Sequence, residues 1–215
     1  MDPTISTPLR KAAIWFLIAA ALVPATLLLR DPSADLYLRA IEADFSIPKR
    51  LTEIAMLALI AAFGVVAWGL RRLKADRIAT AFTTGIGVIA AYGLSEVIKL
   101  IIEQERPCRE VVMLDECPAV GDWSFPSNHT VIAFAVATGI LIIAANYWAL
   151  LGYVVATLIG VLRILTGAHY PHDVLAGAIL GVCVTVGVYL LLFSVKRAVL
   201  ARLEPQSQAH DRFGN

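Results

Sequence analysis

Charge is scarce in this sequence. Asp, Glu, Lys and Arg make up 16% of its 215 residues, against 59% hydrophobic ones. Soluble domains carry roughly a quarter charged residues, so the deficit points to the membrane class. A basic excess is missing too, since the formal net charge is +1. That argues against a nucleic-acid partner, which usually demands a strongly positive surface. The three cysteines lack the paired spacing of a metal site, and there are no repeats or low-complexity tracts. No small-residue cleavage site follows the first apolar stretch, so that stretch is expected to remain as an anchor although Pro24 interrupts it. Residues 204–215 are polar and are expected to form an irregular tail.

What the sequence does contain is apolar runs. Six can be marked off, roughly Ala12–Leu29, Leu51–Leu70, Ile78–Ile102, Thr130–Ala145, Trp148–Thr166 and Val174–Val195. Each approaches the ~20 residues that a bilayer core of about 30 Å asks of a helix. The fourth is the shortest and its ends are the least defined. A soluble bundle would need a polar stripe on most helices, and these segments lack one. The expected fold is therefore all-α, a polytopic membrane protein with six transmembrane helices in one domain, residues 1–203.

Basic residues set the expected orientation. Arg10 and Lys11 precede the first run, Arg71, Arg72, Lys74 and Arg77 crowd the link after the second, and Lys196, Arg197 and Arg202 follow the sixth. All three places share one side if there are six spans, so both termini are expected in the cytoplasm. The opposite links mix Arg30, Arg39, Lys49 and Arg50 with Asp31, Asp35, Glu42 and Asp44. Within residues 30–50, Leu38, Ile41 and Phe45 could line a short interfacial helix, though an ordered loop fits equally well.

Ionisable groups at the edge of a span are costly and need a reason. Lys99, His129, Arg163, His169 and Asp173 all fall at the extracytoplasmic ends of their runs under this topology. They lie in KLIIEQERP (99–107), PSNH (126–129) and RILTGAHYPHD (163–173). With Arg106, three cations, two histidines and a carboxylate form a set suited to a phosphate ester. Lys and Arg neutralise phosphoryl oxygens. A neutral imidazole can attack phosphorus, a second can move protons, and a carboxylate can fix the first one's tautomer.

The same stretches resemble the signature of the type-2 phosphatidic acid phosphatase family, which shares its active site with the vanadium haloperoxidases. That signature reads K-x6-R-P, then P-S-G-H, then S-R-x5-H-x3-D. Lys99, Arg106 and Pro107 match the first part; Pro126, Ser127 and His129 the second; Arg163, His169 and Asp173 the third. Asn128 replaces the glycine and Leu162 the serine. The resemblance covers about residues 50–195. It implies His169 as the covalent nucleophile, Asp173 as its orienting partner and His129 as acid, then base. Lys99, Arg106 and Arg163 would bind phosphate oxygens, with Ser127 and the backbone near Asn128 as further donors at a helix N-terminus. No cofactor or metal is implied.

Other residues have plainer readings. Glu96 is expected to pair with Lys99, and His172 to cap the sixth helix at the interface. Pro171 is expected to open that helix, while Trp123 and Phe125 are read as interfacial anchors. An extracytoplasmic loop permits a disulfide, so Cys108 and Cys117 are expected to bridge. The activity implied is a metal-independent lipid phosphatase or diphosphatase of the plasma membrane. A polyprenyl diphosphate carrier is the leading substrate, and oligomeric state is left open. Phosphatidylglycerol phosphate, phosphatidic acid and a polyprenyl-phospho-sugar phosphate are alternatives, as is phosphotransfer to a second lipid. A transporter or flippase would instead call for mid-membrane charges and an internal repeat.

Overall fold

The structure, a computed structural model, describes residues 3–41, 49–70, 75–110 and 117–213. Among them there are helices and no strands: α1 Pro3–Ala25, α2 Arg30–Ile41, α3 Lys49–Leu70, α4 Ala75–Ile102, α5 Pro107–Glu110, α6 Asn128–Ala144, α7 Leu151–Leu165 and α8 Pro171–Phe213. A 3-10 turn, Thr26–Leu29, joins α1 to α2, and another, Tyr147–Leu150, leads into α7. Glu42, Asp44 and Phe45 of the expected interfacial stretch, and Arg71, Arg72 and Lys74 of the basic link, lie outside the described residues.

Among the described residues five segments are long and apolar enough to cross a membrane, those built on α1, α3, α4, α7 and α8. The fourth apolar run is different. As α6 it has 17 residues, fewer than the 19 or more of the five spanning segments, and ten of them are buried. Compare α3, which buries Thr52, Met56 and Leu59 on one face and exposes Ile54, Leu57, Val65 and Trp68. Large apolar side chains turned outward suit contact with lipid rather than water. In this bundle α6 is the inner post, packed on by α3, α4, α7 and α8.

Lipid tails are as apolar as leucine, so close packing rather than hydrophobicity must hold membrane helices together. Gly177 and Gly181, four residues apart on α8, supply it. A Cβ built on Gly181 falls 2.5 Å from the Val131 carbonyl oxygen, and one on Gly177 falls 2.8 Å from that of Ser127. Backbone therefore meets backbone where α8 crosses the start of α6. At the other end, α8 continues to Phe213. The stretch 204–213, expected to be irregular, is thus part of the helix. At ~1.5 Å per residue, its 43 residues outrun any bilayer core.

Candidate active site

The site lies at the end of the bundle where α4 finishes and α6 and α8 begin. α7 ends at Leu165, and the chain turns through Gly167 at φ +74, a conformation that glycine adopts without strain. The Ala168 and His169 N–H groups both donate to the Arg163 carbonyl, each at 3.2 Å. Pro171 then opens α8 with Asp173 in its first turn, which leaves His169 just outside the helix. Local geometry thus carries Arg163, His169 and Asp173 together.

His169 is buried, with 1% of its surface exposed. Its Nδ1 donates to the Ser124 carbonyl at 2.9 Å. A carbonyl can only accept, so the hydrogen sits on Nδ1 and Nε2 keeps its lone pair. Facing Nε2 at 3.2 Å is Arg106 Nη1, which also donates to the Ala168 carbonyl at 3.0 Å. Burial, and then the charges of Arg106, Arg163 and Lys99, hold the imidazole's pKa well below the ordinary histidine value. At neutral pH it is uncharged.

Asp173 stands 3.6 Å from His169 Nδ1, farther than the direct bond expected of an orienting partner. Ser124 stands between the two, its hydroxyl donating to Asp173 Oδ2 and its carbonyl accepting from the ring. The Tyr170 N–H donates to the same Oδ2 at 2.8 Å, and Gln104 Nε2 donates to Oδ1 at 3.2 Å. His172, read as an interfacial cap, is buried beside it. Its Nε2 lies 3.1 Å from Gln104 Oε1 and 3.2 Å from Asp173 Oδ1, while Nδ1 meets the Ser33 hydroxyl. Its ring stacks on Phe125 and Tyr170. Phe125 is a core residue with 1% exposure, not an interfacial anchor.

The cations surround this pair. Lys99 Nζ donates to Asp122 Oδ1 at 3.2 Å and to the Trp123 carbonyl at 2.7 Å. Arg106 Nη2 donates to the same Asp122 oxygen at 2.7 Å, and Arg106 Nε to the Asp122 carbonyl at 2.8 Å. Arg163 Nε is buried and has no hydrogen-bond partner among the described residues. His129, in the first turn of α6, lies within electrostatic reach of Arg163, Arg106 and Lys99. Glu96 does not pair with Lys99 by a hydrogen bond; it accepts one from Asn128 Nδ2, whose Oδ1 accepts from Ser95 at 2.7 Å. The Asn128 side chain is therefore occupied by α4. Ser127 is buried, its N–H donates to the Asp173 carbonyl at 3.1 Å, and its hydroxyl accepts from Thr130 at 3.1 Å.

The loop that carries Arg106 and Asp122 is tied by a disulfide between Cys108 and Cys117. Arg109 adds a bond to the Pro118 carbonyl at 2.6 Å and an ion pair with Glu105 at 2.7 Å. Asp122, Ser124 and Gln104 escaped the reading of the sequence, because nothing in their local spacing marks them. Asp122 and Ser124 had one available signal, their place just before PSNH in the same polar loop.

Residues 78–197 match the PAP2 superfamily, more than half of the chain and all of the site. The chain belongs to the PAP2 superfamily. An undecaprenyl-diphosphatase of Sulfolobus acidocaldarius is 34% identical over 102 residues, 46% of this chain and 48% of that protein. The bacitracin transport permease protein BcrC of Bacillus licheniformis is 31% identical over 134 residues, 61% of this chain and 64% of that one. The match thus spans about half the length of the first relative and just under two thirds of the second. The crystal structure of a PAP2 type phosphatidylglycerolphosphate phosphatase from Bacillus subtilis overlays at a TM-score of 0.48 and 20% identity, over 89% of this chain and 95% of that one. That likeness is too slight to carry a reading. As a PAP2 superfamily member with several lipid-length apolar helices, this is a multi-pass membrane protein.

Proposed function

We propose that this PAP2 superfamily member is a lipid phosphatase that hydrolyses a phosphomonoester or diphosphate through a phosphohistidine at His169. One observation carries it: a buried, neutral imidazole whose Nδ1–H is held by Ser124 and whose bare Nε2 faces Arg106. In the forward step Nε2 attacks phosphorus as the P–O bond to the lipid breaks. Arg106, Lys99 and Arg163 take the phosphoryl oxygens, Arg106 Nη1 leaving Nε2 to do so. His129 protonates the departing oxygen, then takes a proton from water, which attacks the phosphohistidine and releases inorganic phosphate. Positive charge that builds on the ring is met by the Ser124 carbonyl and, behind it, Asp173.

The relative named an undecaprenyl-diphosphatase favours a polyprenyl diphosphate as the substrate. The proposed topology has six spans, the fourth being α6, shielded from lipid by its neighbours and so freed from full length. The domain runs over residues 1–203, both termini are cytoplasmic, and the site opens on the extracytoplasmic face of the plasma membrane.

The test is phosphate release by the detergent-purified protein, with EDTA present, from polyprenyl diphosphate, phosphatidic acid, phosphatidylglycerol phosphate and a polyprenyl-phospho-sugar phosphate. His169→Ala is expected to lose at least ~1,000-fold in kcat, and polyprenyl diphosphate to rank first. Equal release by both proteins removes His169 as nucleophile. Because the ring is already neutral, its titration should not produce an activity loss near pH 6.5. Protonation of His169 would matter only far below that value.

A further inference from the structure

Asp122 places a carboxylate where a phosphoryl group is expected. Its Oδ1 accepts from both Arg106 Nη2 at 2.7 Å and Lys99 Nζ at 3.2 Å. The side chain is 48% exposed while those of its two partners are 4% and 5% exposed. The backbone is fixed independently of the carboxylate. Arg106 Nε holds the Asp122 carbonyl at 2.8 Å, and the Asp122 N–H donates to the Ala119 carbonyl at 3.1 Å. Gly121 beside it takes φ +89, a conformation that glycine adopts without strain. The carboxylate can therefore rotate into solvent while the loop stays where it is. Burial pushes the Asp122 carboxyl up, but Arg106 and Lys99 outweigh that and leave it below the usual range, so it is ionised at neutral pH.

We infer that Asp122 is a specificity-determining residue, a tethered anion that occupies Lys99 and Arg106 until a phosphate of higher charge displaces it. The inference rests on the phosphatase reading above. A site open to a bilayer meets phosphodiester headgroups far more often than phosphomonoesters. A phosphodiester carries one negative charge, the same as Asp122, and must compete with a carboxylate whose effective concentration is high because it is tethered. Exchange brings it no electrostatic gain. A phosphomonoester or diphosphate brings two or more charges and enough oxygens for Lys99, Arg106 and the unpartnered Arg163 Nε together. Selectivity then comes from a built-in competitor rather than from a better fit to the substrate. The same competitor speeds release of inorganic phosphate after turnover.

The experiment compares the full chain in detergent with Asp122→Asn and Asp122→Ser, each first checked for an unchanged melting temperature. Asn keeps an acceptor for Arg106 without charge, and Ser removes the group, so loss of folding in one variant leaves the other. Inorganic phosphate binding is read by calorimetry. Phosphatidic acid turnover is read in mixed micelles with rising phosphatidylglycerol, a phosphodiester. Phosphate should bind the variants roughly tenfold more tightly, the size of one released charge-assisted hydrogen bond. Phosphatidylglycerol should inhibit the variants several-fold and leave the wild type nearly untouched, with KM for phosphatidic acid lower in the variants. Equal phosphate affinity and equal diester sensitivity, with wild-type turnover intact, overturn the inference and make Asp122 a scaffold for the cations. A wild type that neither binds phosphate nor turns over a lipid phosphate overturns the phosphatase reading, and the inference with it.

Discussion

His129 and Asp173 stand on helix ends that meet through backbone contact at Gly177 and Gly181, and Arg163 stands on the last turn of α7. Arg106, Asp122 and Ser124 stand on the connection between α4 and α6, held by a disulfide, Arg109 and individual hydrogen bonds. One wall of the site is rigid because two helices cannot approach or separate without disturbing buried backbone. The other is assembled from replaceable ties. His169, the proposed nucleophile, sits between them, its Nδ1 held by the loop and its backbone by α7. Catalysis therefore needs both walls in register, but the walls should fail differently when damaged.

The largest effect should come from the helical wall. Gly181→Val places new atoms against a carbonyl oxygen that a Cβ alone would meet at 2.5 Å, so α6 and α8 must part. Overpacking of this kind costs roughly 3 kcal/mol, and here it also carries His129 away from His169. Phosphatase activity should fall at least a hundredfold, with a lower melting temperature in detergent. Gly93→Ala on α4, where a Cβ meets nothing within 4 Å, is the matched control and should behave as wild type. If Gly181→Val retained full activity, the helical wall would be no more rigid than the loop.

Where the walls join, Ser124→Ala should produce an intermediate effect. It deletes the hydroxyl on Asp173 Oδ2 and leaves the carbonyl on His169 in place. A buried carboxylate that loses a partner is destabilised by about 1–3 kcal/mol. Part of that should reach the barrier through a less firmly held ring, lowering kcat about tenfold to a hundredfold while KM moves little. A change confined to KM would mean that Ser124 serves substrate binding and not the histidine.

The two walls also differ in what the sequence reveals. The expected topology and the family resemblance brought His129, Arg163, His169 and Asp173 into one hypothesis, because each falls at the same end of its apolar run. Ser124 reaches Asp173 across 49 positions, and Gln104 across 69, and such contacts leave no local period. His172 was misjudged for the same reason, since its partner Ser33 lies 139 positions away on α2. Hydropathy found all the apolar runs but could not tell lipid from protein as the surrounding medium. α3 and α6 look alike in composition, yet only α6 turns most of its surface to other helices.

The smallest effect should come from the disulfide in the loop wall. Removing it with Cys108→Ser and Cys117→Ser relaxes a closure of nine positions, which the chain-entropy account values at about 2–3 kcal/mol. Most of that should appear as a lower melting temperature, since the unfolded chain gains the freedom. Arg106 keeps its bonds to the Asp122 and Ala168 carbonyls, and Ser124 keeps its bond to His169. The nucleophile should thus remain set, with kcat within about twofold of wild type and KM raised a few-fold as the cations lose definition. Reductant added to the wild type should reproduce the same split. A collapse of kcat as deep as that of Gly181→Val would show that the loop wall depends on the bridge as strictly as the helical wall depends on its glycines, and the distinction between them would go.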